Sequence, residues 1–372
     1  MIITLLIPSL VGCGAERVIV NLANYLSDRG HEVKILNYYY SDCPFKLRNN
    51  INRCYLYKRQ NKATLIKKLF IHFFTKAYLS SVVRNRLRKL KHFIKNNRTD
   101  CYLVMLESAT IDLLKLRRYI TCPIIASERN YPENYPEIVK KQLYQLSVNA
   151  DAYVFQTKAA KACYGPSIRK NIVIPNAVNE DFMNISASVY SRRKTIINAG
   201  RLEQQKNQAL LIKAFQKSGL SDYTLEIYGE GPLRNQLQEQ IDTLGLNNIV
   251  FLKGYTDQIK SVMSEASLFA LSSDYEGIPN VLLEAMATGL PCITTDFAGG
   301  GAHTLIDEGK TGIIVPKGDE TALANAMRNI LTNRELYQQI AENAKKKIEQ
   351  FNPETIYAKW EQFIEEVVNA YS

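Results

Sequence analysis

Residues 276–287 read Glu276-Gly277-Ile278-Pro279-Asn280-Val281-Leu282-Leu283-Glu284-Ala285-Met286-Ala287. Proline favours the first turn of a helix, so Pro279 marks a helix start, with Glu276 and Gly277 in the loop above it and Glu284 two turns in. Short apolar runs bracket the stretch, Leu268–Leu271 before it and Pro291–Thr294 after it. Strand, loop, helix, strand is the repeating unit of a parallel sheet covered by helices. Upstream the alternation continues through Thr195–Ala199, Tyr223–Tyr228 and Ile249–Leu252, and downstream through Gly312–Val315. From Asp319 everything reads helical, ending in Pro353–Tyr371 with the only tryptophan, Trp360.

The first half repeats the scheme, with strands expected at Ile2–Pro8, Glu32–Asn37, Cys101–Leu106, Pro123–Ala126, Ala152–Gln156 and Asn171–Ile174. A helix from Ala15 carries Val18, Leu22 and Leu26 on one stripe and closes at Gly30. The pattern breaks at Pro175–Asn179 and a polar stretch follows from Asn184 to Lys194, which places a hinge there. A chain of 372 residues is about twice what one core serves, so one wound architecture used twice is expected. The domains are 1–178, 179–350 and a terminal helical segment, 351–372. With 46% hydrophobic and 22% charged residues, disorder and small stapled modules are excluded.

Seven widely spaced cysteines without a Cys-x-x-Cys pair, and four histidines, fit a reducing cytosol and argue against a zinc site. The apolar Ile2–Leu10 stretch has no positive residue before it and runs into a glycine turn, so it reads as a strand and not a leader. No run reaches the ~18 uncharged apolar residues of a membrane span.

Charge divides unevenly. Residues 1–180 hold 29 basic and 12 acidic side chains, whereas residues 181–372 hold 18 and 24. Residues 62–98 hold eleven basic residues and no acidic one, with two helical stripes: Leu65, Leu69, Phe73 and Ala77 beside Ile66, Phe70 and Phe74, then Val83, Leu87, Leu90 and Ile94. Lys67, Lys68, Arg84, Arg86, Arg88, Lys89 and Lys91 are therefore candidates for an anionic membrane surface. The alternative is that the stripes pack on the first domain and the charges are solvated. Nucleic acid is disfavoured, because no recognition helix, finger or stacking platform accompanies the charge.

Three features can carry chemistry. Gly12-Cys13-Gly14-Ala15-Glu16-Arg17 joins a strand to a helix whose N-terminus suits a phosphate, although glycine there also serves turn geometry alone. Arg201 and Lys206 flank the equivalent turn of the second half and can hold a diphosphate without a metal, or be two solvated charges. In the 276–287 stretch, the N–H groups of Gly277, Ile278 and Asn280 around Pro279 can meet an anion or sugar hydroxyls. Glu276 reaches the same ligand, and Glu284 can accept two hydrogen bonds from a vicinal diol.

Taken in order, Gly12–Val18, Ile174-Pro175-Asn176, Gly200-Arg201-Leu202 with Lys206-Asn207, Tyr228-Gly229-Glu230-Gly231-Pro232, Leu252-Lys253-Gly254-Tyr255, Glu276–Ala287 and Gly309-Thr311-Gly312 resemble the retaining glycosyltransferases of family 4 over essentially the full length. The resemblance implies α/β architecture of GT-B type: two Rossmann-like domains facing a cleft, and a final helix crossing back to the first domain. It implies that Glu284 binds the ribose, Arg201 and Lys206 the diphosphate, Glu276 with Gly277, Ile278, Pro279 and Asn280 the donor sugar and its phosphate, and Lys253, Gly254 and Tyr255 the base. Gly14 would let the first domain's loop close over the donor. Many relatives place a histidine where this chain has Ser127-Glu128-Arg129-Asn130, so Glu128 or Arg129 is expected to point into the cleft, the alternative being a helix cap with a surface ion pair.

The expected function is a metal-independent, retaining hexosyltransferase with no cofactor. It would move a sugar from a nucleotide-sugar, a UDP-sugar by expectation, to a glycan or polyprenyl-diphosphate-linked saccharide in bacterial surface polysaccharide synthesis. Its expected place is the cytoplasm, peripheral on the inner face of the membrane. A sugar-nucleotide epimerase of similar frame and a non-catalytic partner subunit are the alternatives.

Overall fold

The computed structural model describes residues 1–12, 14–57, 76–168, 170–183, 185 and 192–371. Cys13, Lys67, Lys68, the first stripe apart from Ala77, and most of the polar stretch after Asn184 lie outside the described residues. Two compact units divide the chain: Met1–Gln156 with Ala160–Ile174 and Tyr357–Ser372, and Thr157–Ala159 with Pro175–Ile356.

The first unit is built on a seven-stranded parallel sheet, counted among the described residues: β1 (Ile2–Leu6), β2 (Glu32–Tyr39), β3 (Asn52–Tyr57), β4 (Cys101–Met105), β5 (Ile124–Glu128), β6 (Ala152–Phe155) and β7 (Asn171–Val173). Their order is β3-β2-β1-β4-β5-β6-β7. The second unit has β8 (Arg193–Ala199), β9 (Thr224–Tyr228), β10 (Val250–Gly254), β11 (Ala266–Leu271), β12 (Cys292–Thr295) and β13 (Ile313–Val315), in the order β10-β9-β8-β11-β12-β13. Every pairing is parallel. Counted within each unit, the order begins 3-2-1-4-5-6, so the winding direction reverses between β1 and β4 and again between β8 and β11.

Alternation along the strands builds two faces in the second unit. Phe269 and Leu271 pack with Ile197, Leu283 and Met286 on one side, while Leu268 and Ala270 pack with Ile196, Leu225 and Leu211 on the other. The helix Asn280–Ala287 lies on the first face with Leu282, Leu283, Ala285 and Met286 buried. Pro279 is extended and immediately precedes that helix, one position earlier than expected, so the turn ends at the proline itself.

One strand escapes the sequence pattern. In β3, an edge strand, Leu56 is the one residue that is buried, and Tyr57 stacks on Tyr39 with ring centroids 5.2 Å apart. An edge strand of polar and aromatic residues has no apolar run to announce it.

The helix Lys76–Asn96 settles how the second basic stripe is used. Leu90 is buried with Leu36, Tyr38, Leu56 and Leu113, and Leu87, Phe93 and Ile94 pack on the same cluster. That apolar face therefore packs on the unit's core, with Leu90 buried and Leu87 and Ile94 half-buried. Three of the candidate membrane cations also have protein partners. Arg86 pairs with the buried Asp112 and lies 5.0 Å over Tyr38, Lys89 donates to the Leu56 carbonyl at 3.1 Å, and Lys91 sits 3.9 Å from the Tyr119 ring. Arg84 and Arg88 are exposed.

Within the first unit, the terminal helix is fixed by the fully buried Trp360 and by Glu361, whose carboxylate meets His31 at 3.0 Å and Arg29 at 3.3 Å. No helix among the described residues is long and apolar enough to cross a membrane.

Candidate active site

At the β8/β11 reversal, neighbouring strands send their loops in opposite directions and leave a crevice at their carboxyl ends, where ligands bind in this architecture. Lys206 follows β8 and Glu276 follows β11, and their side chains form an ion pair. Glu276 is buried, and its carboxylate also accepts from Ser273 Oγ at 2.8 Å and Gln205 Nε2 at 3.3 Å. A buried acid so surrounded is held in a fixed direction.

Polar contacts stitch the two loops together. Ser272 Oγ donates to the Lys206 carbonyl at 2.9 Å, the Asp274 N–H to the Gln205 carbonyl at 2.8 Å, and Asn207 Nδ2 to Asp274 Oδ1 at 3.0 Å. Asn207 adopts φ +46°, and its oxygen caps the following helix by accepting from the Leu210 N–H. Asparagine tolerates that left-handed conformation better than most residues. Arg201 lies 63% exposed on the same rim, with its nearest carboxylate on Glu203 at 3.0 Å.

The rim continues to β10. The Gly229 N–H donates to the Gly254 carbonyl at 2.8 Å, and a Cβ on Gly229 would lie 1.9 Å from the Gly200 carbonyl oxygen. Only glycine fits such an approach, which locks the loops after β8 and β9 together. Lys253 is exposed, Gly254 is buried at φ +75°, and Tyr255 is 81% exposed. From β10 to β11 the rim spans about 14 Å at ~4.8 Å per strand. The structure thus brings Arg201, Lys206, Glu276 and the turn of Gly277, Ile278, Pro279 and Asn280 to one strand-end rim, with Lys253–Tyr255 at its far side. Glu284 is buried on the helix that begins at that turn.

A profile of the family described as glycosyl transferases group 1 matches residues 181–347. The chain is 26% identical over its full length to all of a Campylobacter jejuni enzyme, "GalNAc-alpha-(1->4)-GalNAc-alpha-(1->3)-diNAcBac-PP-undecaprenol alpha-1,4-N-acetyl-D-galactosaminyltransferase". Among solved structures, Anabaena HepE in complex with UDP and glucose superposes with a TM-score of 0.78 at 20% identity, covering 98% of this chain and all of that one. Sucrose-phosphate synthase from Thermosynechococcus elongatus gives 0.83 at 17% identity, covering 99% of each chain. Residues 181–347 form a glycosyl transferases group 1 domain, and the fold is that of GT-B glycosyltransferases. The group 1 domain occupies the second unit and contains the whole β8–β11 rim.

The first unit arranges its acids differently. Gly14 opens the first helix and is exposed. Glu16, which the sequence reading passed over, is buried two residues on and accepts from Ser9 Oγ at 3.0 Å and from the Val11 and Gly12 N–H groups at 2.6 Å, so it shapes the glycine loop from within.

Glu128 and Arg129, one of which the resemblance directs into the cleft, are both buried. The Glu128 carboxylate accepts from Tyr135 and Tyr164 hydroxyls, both at 2.7 Å, and from the Asn130 N–H at 3.1 Å. Burial pushes its pKa up to about 7 against these hydrogen bonds. Arg129 donates to the Ile174 carbonyl at 3.3 Å and lies 5.7 Å from the Trp360 ring, and burial draws its pKa down to about 9. Neither helix cap nor surface ion pair describes them.

His31, Glu361 and Glu365 form the one group of potential metal-ligating side chains found among the described residues, and Arg29 already occupies Glu361 there.

Proposed function

We propose that this glycosyltransferase moves a hexose-type sugar from a nucleotide-sugar, with UDP as the nucleotide, to a saccharide carried on a polyprenyl diphosphate, with retention at the sugar carbon and without a metal ion. The observation that carries the reading is the Lys206–Glu276 pair at the β8/β11 reversal, with Arg201 on the same rim and a buried Glu284 on the adjoining helix. Arg201 and Lys206 hold the diphosphate, and their charge counts most as the glycosidic bond breaks and negative charge grows on the leaving phosphate. Glu284 receives the ribose hydroxyls, and the turn from Gly277 to Asn280 receives the sugar. The leaving phosphate takes the acceptor proton on the face it has just left, which preserves configuration.

The acceptor and nucleotide assignments draw support from the Campylobacter relative, whose name specifies an undecaprenol-linked acceptor, and from HepE, solved with UDP. Acceptor binding is assigned to the first unit. Its exposed Arg84 and Arg88, with Lys67 and Lys68, are assigned to an anionic membrane on the cytoplasmic face.

The test is transfer itself. The full chain is given UDP-, GDP- and ADP-sugars with a polyprenyl-diphosphate-linked saccharide in EDTA, and the product is read by mass and by anomeric coupling in NMR. An α-linked product from an α-configured donor in EDTA is expected. An inverted product, a strict need for a divalent ion, or sugar epimerisation without acceptor overturns the corresponding part.

A further inference from the structure

Asn176 belongs to a motif that the function has so far left without a task. It is buried, one residue past the point where the chain enters the second unit, and its side-chain amide crosses about a hundred positions of sequence. One Nδ2 hydrogen goes to the Ile278 carbonyl at 2.8 Å, and the same nitrogen donates to Asn280 Oδ1 at 2.7 Å. Both targets lie in the turn between β11 and the helix Asn280–Ala287.

That turn needs outside support. Ile278 precedes a proline, which disfavours helical geometry there, and Pro279 contributes no N–H. On one side the Gly277 carbonyl presses on Gly301, where a Cβ would lie 1.9 Å from its oxygen. A trans peptide directs the next N–H opposite to its carbonyl, so the Ile278 N–H is turned away from Gly301. On the other side Asn176 takes the Ile278 carbonyl and, by claiming the oxygen end of the Asn280 amide, sets its NH2 end opposite.

We infer that Asn176 is a positioning residue for the donor sugar: its amide fixes the Ile278 carbonyl and the Asn280 side chain so that the turn's donors face the ligand. This rests on the donor reading above.

The experiment compares the full chain with Asn176→Asp, Asn176→Ala, Asn280→Ala and the double alanine variant. Readouts are kcat and KM for the nucleotide-sugar, the Kd of whichever diphosphate the wild type binds (UDP, GDP or ADP), and Tm. Asn176→Asp keeps the shape but sets oxygen against oxygen at both contacts. It is expected to lower kcat about 10- to 100-fold, the worth of one or two buried hydrogen bonds. The diphosphate Kd should stay within about 3-fold, since Arg201, Lys206 and Glu284 are untouched. The double variant should lose little beyond Asn280→Ala alone, because contacting residues are not additive.

Wild-type kcat and KM per folded molecule in Asn176→Asp, or strictly additive alanine losses, overturn the positioning role even if Tm falls. An equal loss of diphosphate and nucleotide-sugar binding overturns it too. A wild type that binds no nucleoside diphosphate overturns the donor reading itself, and this role with it.

Discussion

The carboxyl ends of β8 and β11 in the second unit and of β1 and β5 in the first are built from similar residues put to opposite uses. At the second rim, Glu276 is held by Ser273 and Gln205 and meets a cation, Lys206, beside an exposed Arg201. At the first, Glu16 gathers the hydroxyl and N–H groups of its own loop, and Glu128 gathers two tyrosine hydroxyls and an N–H. One sheet topology offers the same rim of strand ends twice, and what the side chains along it are bonded to decides which copy is equipped for an anionic donor.

The largest expected effect tests that asymmetry directly. Lys206→Ala should reduce kcat per folded molecule about 10²- to 10³-fold, as removing a preorganised donor to transition-state charge does elsewhere, and should also lower Tm, because the buried Glu276 loses its cation. Steady-state kinetics alongside a melt would show it, and wild-type rates should survive EDTA. A variant that merely melts early would make the second rim as structural as the first.

Glu284→Ala should weaken nucleotide binding by about 1.5–3 kcal/mol, read by titration calorimetry with the diphosphate. Undiminished affinity would remove the ribose role and leave Glu284 a buried structural acid.

Within the first unit, the basic helix permits a sharper division. Arg86→Gln strands the buried Asp112 with Tyr38 its one remaining side-chain donor among the described residues, at 2.7 Å, and should cost about 2 kcal/mol of stability in a denaturant melt. Arg84→Gln and Arg88→Gln should leave stability within about 0.5 kcal/mol. Each should instead lower binding to anionic vesicles by about 1 kcal/mol at low salt. Vesicle binding indifferent to both arginines and to salt would confine these charges to solvation.

The smallest effect concerns Glu128. Its folded pKa of about 7 lies above the ordinary glutamate value of 4.5, with burial as the leading cause. The folded chain therefore holds an extra proton between those pH values, and the stability this group contributes is complete below about 4.5 and is lost as pH rises through about 7. Glu128→Gln should flatten that part of the Tm-versus-pH curve. The same slope in the variant would assign it to other groups.

Much of this was legible in the order of residues. Leu268–Leu271 and Pro291–Thr294 announced β11 and β12 because apolar runs between helical patterns have few other readings, and Gly30 ended the first helix at φ +87° as a C-terminal glycine does. Less legible was the Lys76–Asn96 helix. Its stripe of Leu87, Leu90 and Ile94 fits a protein core and a lipid surface equally well, since both offer the same apolar contact.

The sequence by itself determined the alternation of strands and helices, the doubling of the wound unit, the placement of a cation-bearing turn after β8 and an acid-bearing turn after β11, and the charge difference between halves. These are properties of period, composition and local turn chemistry, which act within a few residues. Tertiary structure alone decided that Lys206 faces Glu276, that Asn176 holds Ile278 and Asn280, that Gly229 must admit the Gly200 carbonyl, and that Glu128 and Arg86 are bonded inward. Each of those depends on strand order bringing loops together across tens of residues, and on which groups lose water when it does, neither of which is written in any local stretch of chain.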